Sequence, residues 1–263
     1  MSTKRKRVYA TKPARSGIAQ KRRVSPQSIT VFDVDDIPKK MTRAKPSSTG
    51  RPELKGLDTE ISANPVLSTT NSNVDVFCIN LPGEGTASYQ RIGRKIKLLY
   101  VRLKIHGKWV MTQTASYNVQ PNTFRWILVW DKQPGGAAPN FDDIFGHTVQ
   151  DGTVSSSTTD ALTYANTHRF SVIREGHMAM DPGGMPAINA NYLREQDFFI
   201  DEFVKLQGRK TFFNSSVATP GVADIANGAL YLIVRSTQSV TGTYANYFQI
   251  WNDTTARVRY TDA

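Results

Sequence analysis

Asn122–Asp131 reads NTFRWILVWD, with an unbroken apolar run from Trp126 to Trp130. A strand with one wet face alternates apolar and polar residues. A strand buried on both faces does not need to, and this run of aromatic and aliphatic residues has that character. It is also far shorter than the ~18 apolar residues a membrane-spanning helix requires.

Reading outward from this segment, the same periodicity of two recurs. In residues 95–111, Leu99, Val101, Leu103 and Ile105 alternate with Tyr100, Arg102, Lys104 and His106, while Ile96 and Leu98 fall in the opposite phase. A bulge at Leu98–Leu99 reconciles the two phases. Residues 73–80 (NVDVFCIN) alternate as well and run into the turn LPGEG at 81–85. Beyond the opening segment, Pro139 or Asn140 begins a short helix, Asp142 and Asp143 complement its dipole, and Gly146 follows it. Strands then fit 168–178, 197–206, 209–213, 228–236 and 243–251, with 256–261 continuing or following the last. No long helical period and no internal repeat interrupts this pattern. The expectation is an all-β fold: an eight-stranded antiparallel jelly-roll sandwich with one short helix, over residues 57–263.

Charge divides the chain at another place. Residues 1–55 hold 15 basic and four acidic residues, and 56–263 hold 18 of each, so the net +11 lies entirely in the first fifth. From residue 1 to 23 there are nine basic residues and no acidic one: Lys4, Arg5, Lys6, Arg7, Lys12, Arg15, Lys21, Arg22 and Arg23. Pro13, Gly17 and Pro26 interrupt helix formation, and the few apolar side chains cannot offset the entropy of ordering. Residues 1–56 therefore read as a basic N-terminal arm and linker, disordered alone, with 42–56 as the Pro/Gly/Ser-rich linker. Between the basic runs, ITVFDVDDI (29–37) reads as a short strand or docking segment, or as a self-association element.

Mobile cations of this kind neutralise phosphates and release counterions. The nucleic-acid-binding candidates are the nine above with Lys39, Lys40, Arg43 and Lys45. Lys4, Arg5, Lys6, Arg7, Lys21, Arg22 and Arg23 also form short basic runs of the kind that serve as nuclear localisation signals, with a host import receptor as partner. A merely solubilising tail is the plain alternative.

Catalytic chemistry finds little support. Cys78 is the one cysteine, so an intrachain disulfide and a multi-cysteine metal site are excluded, and a reducing compartment is implied. His106, His147, His168 and His177 show no HxxxH spacing. Asp142-Asp143 and Asp201-Glu202 are the paired acids. The second pair points to opposite faces of a strand, so it is no dyad, though either pair could hold calcium at a subunit contact. No phosphate-binding loop or GxSxG elbow occurs. Mixed basic and aromatic runs, FRW at 124–126 and RKTFF at 209–213, could stack unpaired bases but read more simply as core plus solvent face. No cofactor, no metal and no membrane association is expected.

Three stretches carry a resemblance. YQRIGRKI (89–96) before a long strand, then WILVWDKQPGGAAP (126–139) followed by FDDIF (141–145), resemble geminivirus-like coat proteins. The terminal VRYTDA (258–263) is similar to the end of the satellite tobacco necrosis virus coat protein. The likeness implies a jelly-roll coat protein of a small circular single-stranded DNA virus. It implies a homo-oligomer, some 60 copies in an icosahedral shell, whose arms face the viral single-stranded DNA genome. It places the protein in the virion, and in the host nucleus during assembly. The satellite-virus likeness leaves single-stranded RNA open. One departure is plain: the Cys/His finger-like pattern of plant geminivirus coat proteins is missing, because Cys78 is alone. Competing readings are a non-capsid single-stranded nucleic-acid-binding module and a jelly-roll enzyme or carbohydrate binder.

Overall fold

The computed structural model describes residues 53–66, 72–113, 122–148, 154–180, 192–237 and 245–263. Along the chain run β1 (Lys55–Ala63), β2 (Val76–Cys78), β3 (Lys95–Gln113), β4 (Asn122–Asp131), α1 (Phe141–Ile144), β5 (His147–Thr148) and β6 (Val154–Ser155). They are followed by β7 (Phe170–Met180), β8 (Tyr192–Lys205), β9 (Lys210–Phe213), β10 (Ile225–Asn227), β11 (Ala229–Ser236) and β12 (Ala245–Asp262). One sheet has the order β1-β12-β3-β9-β10, with β8 also paired to β3; a second has the order β2-β11-β4-β7; β5 and β6 form a hairpin. Every one of these strand pairs is antiparallel.

The described residues hold twelve strands, several of only two or three residues, where the pattern led to eight principal ones. β1 is the main addition. It starts at Lys55, inside the stretch read as linker, and only Ile61 and Ala63 of its hydrophobic residues are fully buried. Its apolar signal is weak because it lies at a sheet edge. The strand expected at 73–80 shortens to Val76–Cys78, and the two segments expected at 243–251 and 256–261 are the single β12.

Other expectations hold. β4 has the bounds read from sequence and is buried at every position but Thr123. The bulge in β3 is present: Arg259 pairs with Tyr100 and Tyr260 with Leu98, which leaves Leu99 over. There β3 also changes partner, from β8 at Tyr100 to β9 at Lys97. The helix is capped as expected, with the Asn140 N–H donating to Asp143 Oδ2 at 2.8 Å.

One hydrophobic core joins both sheets, with Leu98, Val101, Leu103 and Trp109 from one and Phe124, Ile127, Val129 and Leu232 from the other. The outer faces differ. The middle of the four-stranded sheet is covered: β11 is buried along its length and β4 at all but Thr123, and α1 with the Phe145 that follows it turns Phe141, Ile144 and Phe145 inward. Each buried phenylalanine contributes about 2–3 kcal/mol. Beneath this cover Arg125 and Arg235 stand side by side in register. Arg125 caps the Phe145 ring at 4.9 Å and binds Thr158 O, Asp160 O and Glu175; Arg235 caps Phe141 at 5.3 Å and binds Ser72 O and Val74 O. Burial pulls the Arg235 guanidinium down to about 10. Both arginines tie loops onto the sheet rather than face solvent. The six-stranded sheet keeps its outer face bare.

Candidate nucleic-acid interface

All thirteen sequence candidates, Lys4, Arg5, Lys6, Arg7, Lys12, Arg15, Lys21, Arg22, Arg23, Lys39, Lys40, Arg43 and Lys45, lie outside the described residues, as does the 29–37 segment. The body supplies a second set that sequence reasoning missed.

On the bare face, the antiparallel register builds cross-strand rows from β1, β12, β3 and β8. One row is Gly56, Arg259, Tyr100, Lys205; the next is Asp58, Arg257, Arg102, Phe203. In the second row the charges are satisfied within the sheet. Arg257 grips Asp58 through two bonds of 2.6 Å, and Arg102 grips Asp201 through bonds of 2.9 and 2.6 Å. These guanidinium groups hold both carboxyls below the usual carboxylate range.

Toward the end where the chain enters β1, the balance fails. Lys95, Lys97, Lys205, Lys210 and Arg259 gather there, and none has a carboxylate within ion-pair distance among the described residues. Lys97 lies directly opposite Lys210 in the ladder. Like charges so placed repel, and an anion between them relieves that cost. Asp262, the acid in register here, is committed to Lys55 at 3.0 Å. The body is neutral in total, but its charges are not mixed.

Aromatic rings adjoin these cations. The Tyr100 and Phe203 rings pack at a tilt with centroids 4.9 Å apart, and Lys95 lies 5.4 Å from the Phe212 ring. Among the described residues, the exposed aromatics of this sheet are Phe203 and Phe212, near these cations, and Phe199 and Trp251, which lie farther along beside His106 and Lys108. A depression of about 370 Å³ opens between Tyr100, Arg102, Asp201, Phe203, Arg257 and Arg259. Free cations beside exposed rings hold phosphates and stack bases without reading sequence. The signal for Phe199 and Phe203 was present in β8, where both share the phase of Asp197, Asp201 and Lys205. Of the runs considered from sequence, Phe124, Trp126 and Phe213 are core, and only Phe212 faces out.

The remaining candidates resolve into local contacts. Asp201 and Glu202 diverge as expected, Asp201 to Arg102 and Glu202 to Arg174 of β7 at 3.6 Å. His106 meets Asp253, and His147 meets Asp160, each at 2.8 Å; His168 meets Ala165 O at 2.9 Å. Among the described residues, no three His, Cys, Asp or Glu side chains gather as a metal site would require, so the calcium reading gains no support. Cys78 packs against the core, and burial pushes its thiol up to about 12.

The YQRIGRKI stretch forms the loop into β3, pinned by Arg91. Its buried guanidinium donates to Ser215 O at 2.7 Å and to Gly93 O, and lies 4.1 Å from the Phe213 ring. Residues 4–263 match the sequence model of the geminivirus coat protein/nuclear export factor BR1 family. The chain belongs to the geminivirus coat protein family. It is similar to the capsid protein of Maize streak virus genotype A (isolate Nigeria), 26% identical over 220 residues, or 78% of this chain and 88% of that one. It is 28% identical over 177 residues to the capsid protein of Miscanthus streak virus (isolate 91), covering 64% of this chain and 65% of the relative. A solved structure of polyomavirus VP1 aligns with a TM-score of 0.18 and 10% identity over 81% of this chain and 95% of that one, too distant to bear on the fold. As a viral coat protein, this chain is a structural protein of the virion, and its working surfaces are those that meet genome and neighbouring copies.

Proposed function

We propose that this coat protein self-assembles into a small icosahedral shell of about 60 copies and packages a single-stranded DNA genome through its basic N-terminal arm. Lys4–Arg7 and Lys21–Arg23 serve as nuclear import signals, so that assembly takes place in the host nucleus. The shell tile is an eight-stranded jelly roll, four strands to each sheet. The orders β1-β12-β3-β8 and β2-β11-β4-β7, two antiparallel sheets around one core, support that reading.

The observation that carries the packaging role is the distribution of charge. The first 55 residues hold the whole net excess of +11, and a group of unpaired cations of the body lies at the sheet end where β1 begins. The arm's cations and, separately, those of the sheet end would each neutralise phosphates, and the exposed rings would take unpaired bases. Sequence-independent contacts of this kind suit a protein that must cover a whole genome.

Deleting residues 1–40 tests the division of labour. The truncated chain is expected to keep the far-ultraviolet circular dichroism and the melting transition of the full chain while losing most of its bound nucleic acid. A truncation that unfolds, or that retains the full nucleic-acid content, contradicts the proposal.

A further inference from the structure

The loop that carries the buried Arg91 also displays apolar side chains. Tyr89 is 56% exposed and Ile92 58%, and Leu54, just before β1, is 50% exposed. These three account for a third of the nine large hydrophobic residues exposed among the described residues. They sit around one node. The Asp262 carboxylate accepts the Ile92 N–H at 3.0 Å on one oxygen and lies 3.0 Å from Lys55 Nζ on the other, while Lys55 Nζ also donates to Gln90 O at 2.9 Å.

A flexible loop would fold such side chains away from water. This one cannot. Its backbone is tied to β1 by the Gly56 N–H to Ser88 O at 3.1 Å and to the 213–217 segment by the Glu84 N–H to Val217 O at 2.9 Å. It is closed on itself by the Arg91 N–H to Gly83 O at 2.9 Å and the Ala87 N–H to Gln90 Oε1 at 3.1 Å. At Gly83 a Cβ would run into the Ala218 carbonyl, so the loop is packed against backbone. Rigid, exposed apolar groups lose little entropy on docking, which is the property of a preformed contact surface.

We propose that Leu54, Tyr89 and Ile92 form a preorganised knob that docks against a second copy of this chain in the shell. The inference rests on the assembly reading above and names a surface for it. A second copy is the occupant that a coat protein must supply, and the rim of the knob suits it. Glu53 and Arg94 are both exposed at its border, so two copies can set opposite charges against each other around an apolar centre. Two of its three side chains, Leu54 and Ile92, are aliphatic and offer a base no ring to stack on.

The test uses the full chain and the double variant Tyr89→Ser, Ile92→Ser. Both side chains are exposed, so the variant is expected to keep its circular dichroism, its melting temperature within about 3 °C and its binding of a single-stranded oligonucleotide. Its particle yield by sedimentation and electron microscopy is expected to fall at least tenfold. Hydroxyl-radical footprinting of the unaltered chain gives a readout without substitution: Tyr89 is modified in the free subunit and protected in particles. Wild-type particle yield from the double variant, or an unprotected Tyr89 in particles, overturns the knob while leaving assembly standing. An unaltered chain that forms no particles overturns assembly and the knob together.

Discussion

Lys55 Nζ is fully buried and sits 3.0 Å from the carboxylate of Asp262, tying the first residue of β1 to the last residue of β12. The Asp262 side chain remains about a quarter exposed, so the pair is sealed on the lysine side alone. A lysine stripped of water in this way must keep its partners, and its bond to Gln90 O supplies the other one. The contact closes the sheet edge at the point where the chain enters the body.

Replacing Asp262 with Asn is therefore expected to destabilise the body by about 1–3 kcal/mol, since it leaves a buried ammonium with a neutral acceptor. The check is the urea midpoint at unchanged m-value. Lys55→Met, which removes charge and donor together, is expected to cost less than Asp262→Asn.

Gly107 pairs with Ile250 of β12 and Phe198 of β8, and a Cβ there would run into the Phe198 ring and the Gln249 carbonyl. Gly107→Ala is expected to cost about 1–3 kcal/mol through overpacking. Thermal melting of the variant at fixed protein concentration measures it.

Some of this architecture was open to reading in the chain and some was not, for physical reasons. β4 announced itself because burial on both faces leaves no polar interruption between Trp126 and Trp130. The bulge in β3 shows as a phase change at Leu98–Leu99, and the start of α1 as Pro139-Asn140 followed by Asp142 and Asp143. β1 stayed hidden because its identity comes from pairing with β12, at the far end of the chain, and its starting residue is a buried lysine. β5, β6 and β10, two or three residues each, carry too little pattern to be seen. The body's 18 basic and 18 acidic residues are countable from the chain, but nothing local reveals that Lys97 faces Lys210 across a ladder. Phe199 and Phe203 were assigned to a strand without notice that they share its solvent phase.

The Cys78 thiol, raised by burial from an ordinary 9.0 to about 12, gives a pH dependence of known sign. Above pH 9 the unfolded chain releases this proton while the folded chain keeps it, so the folded state binds more protons and stability falls as pH rises toward 12. The slope from this group is at most about 1.4 kcal/mol per pH unit. Denaturation of Cys78→Ala is expected to show a shallower alkaline loss than the unaltered chain. A thiol reagent at pH 8 is expected to react slowly until denaturant is added.

For the sheet end, Lys97→Ala with Lys210→Ala is expected to lower the slope of log K against log salt for single-stranded DNA by about 1.4, near 0.7 per lost phosphate contact. Thermal stability is expected to hold or rise slightly, because a like-charge pair is removed. Titration of the full chain at several salt concentrations, beside a melting curve, separates this binding role from a structural one.

The central claim is that this coat protein closes a shell around single-stranded DNA. Electron microscopy of purified full-length protein, with nuclease digestion of the extracted contents, tests it most directly. The account predicts uniform small icosahedral particles whose extracted cargo is destroyed by a single-strand-active DNase and resists RNase. A monomer that stays monomeric across salt and pH, or particles whose cargo is RNA, would contradict it.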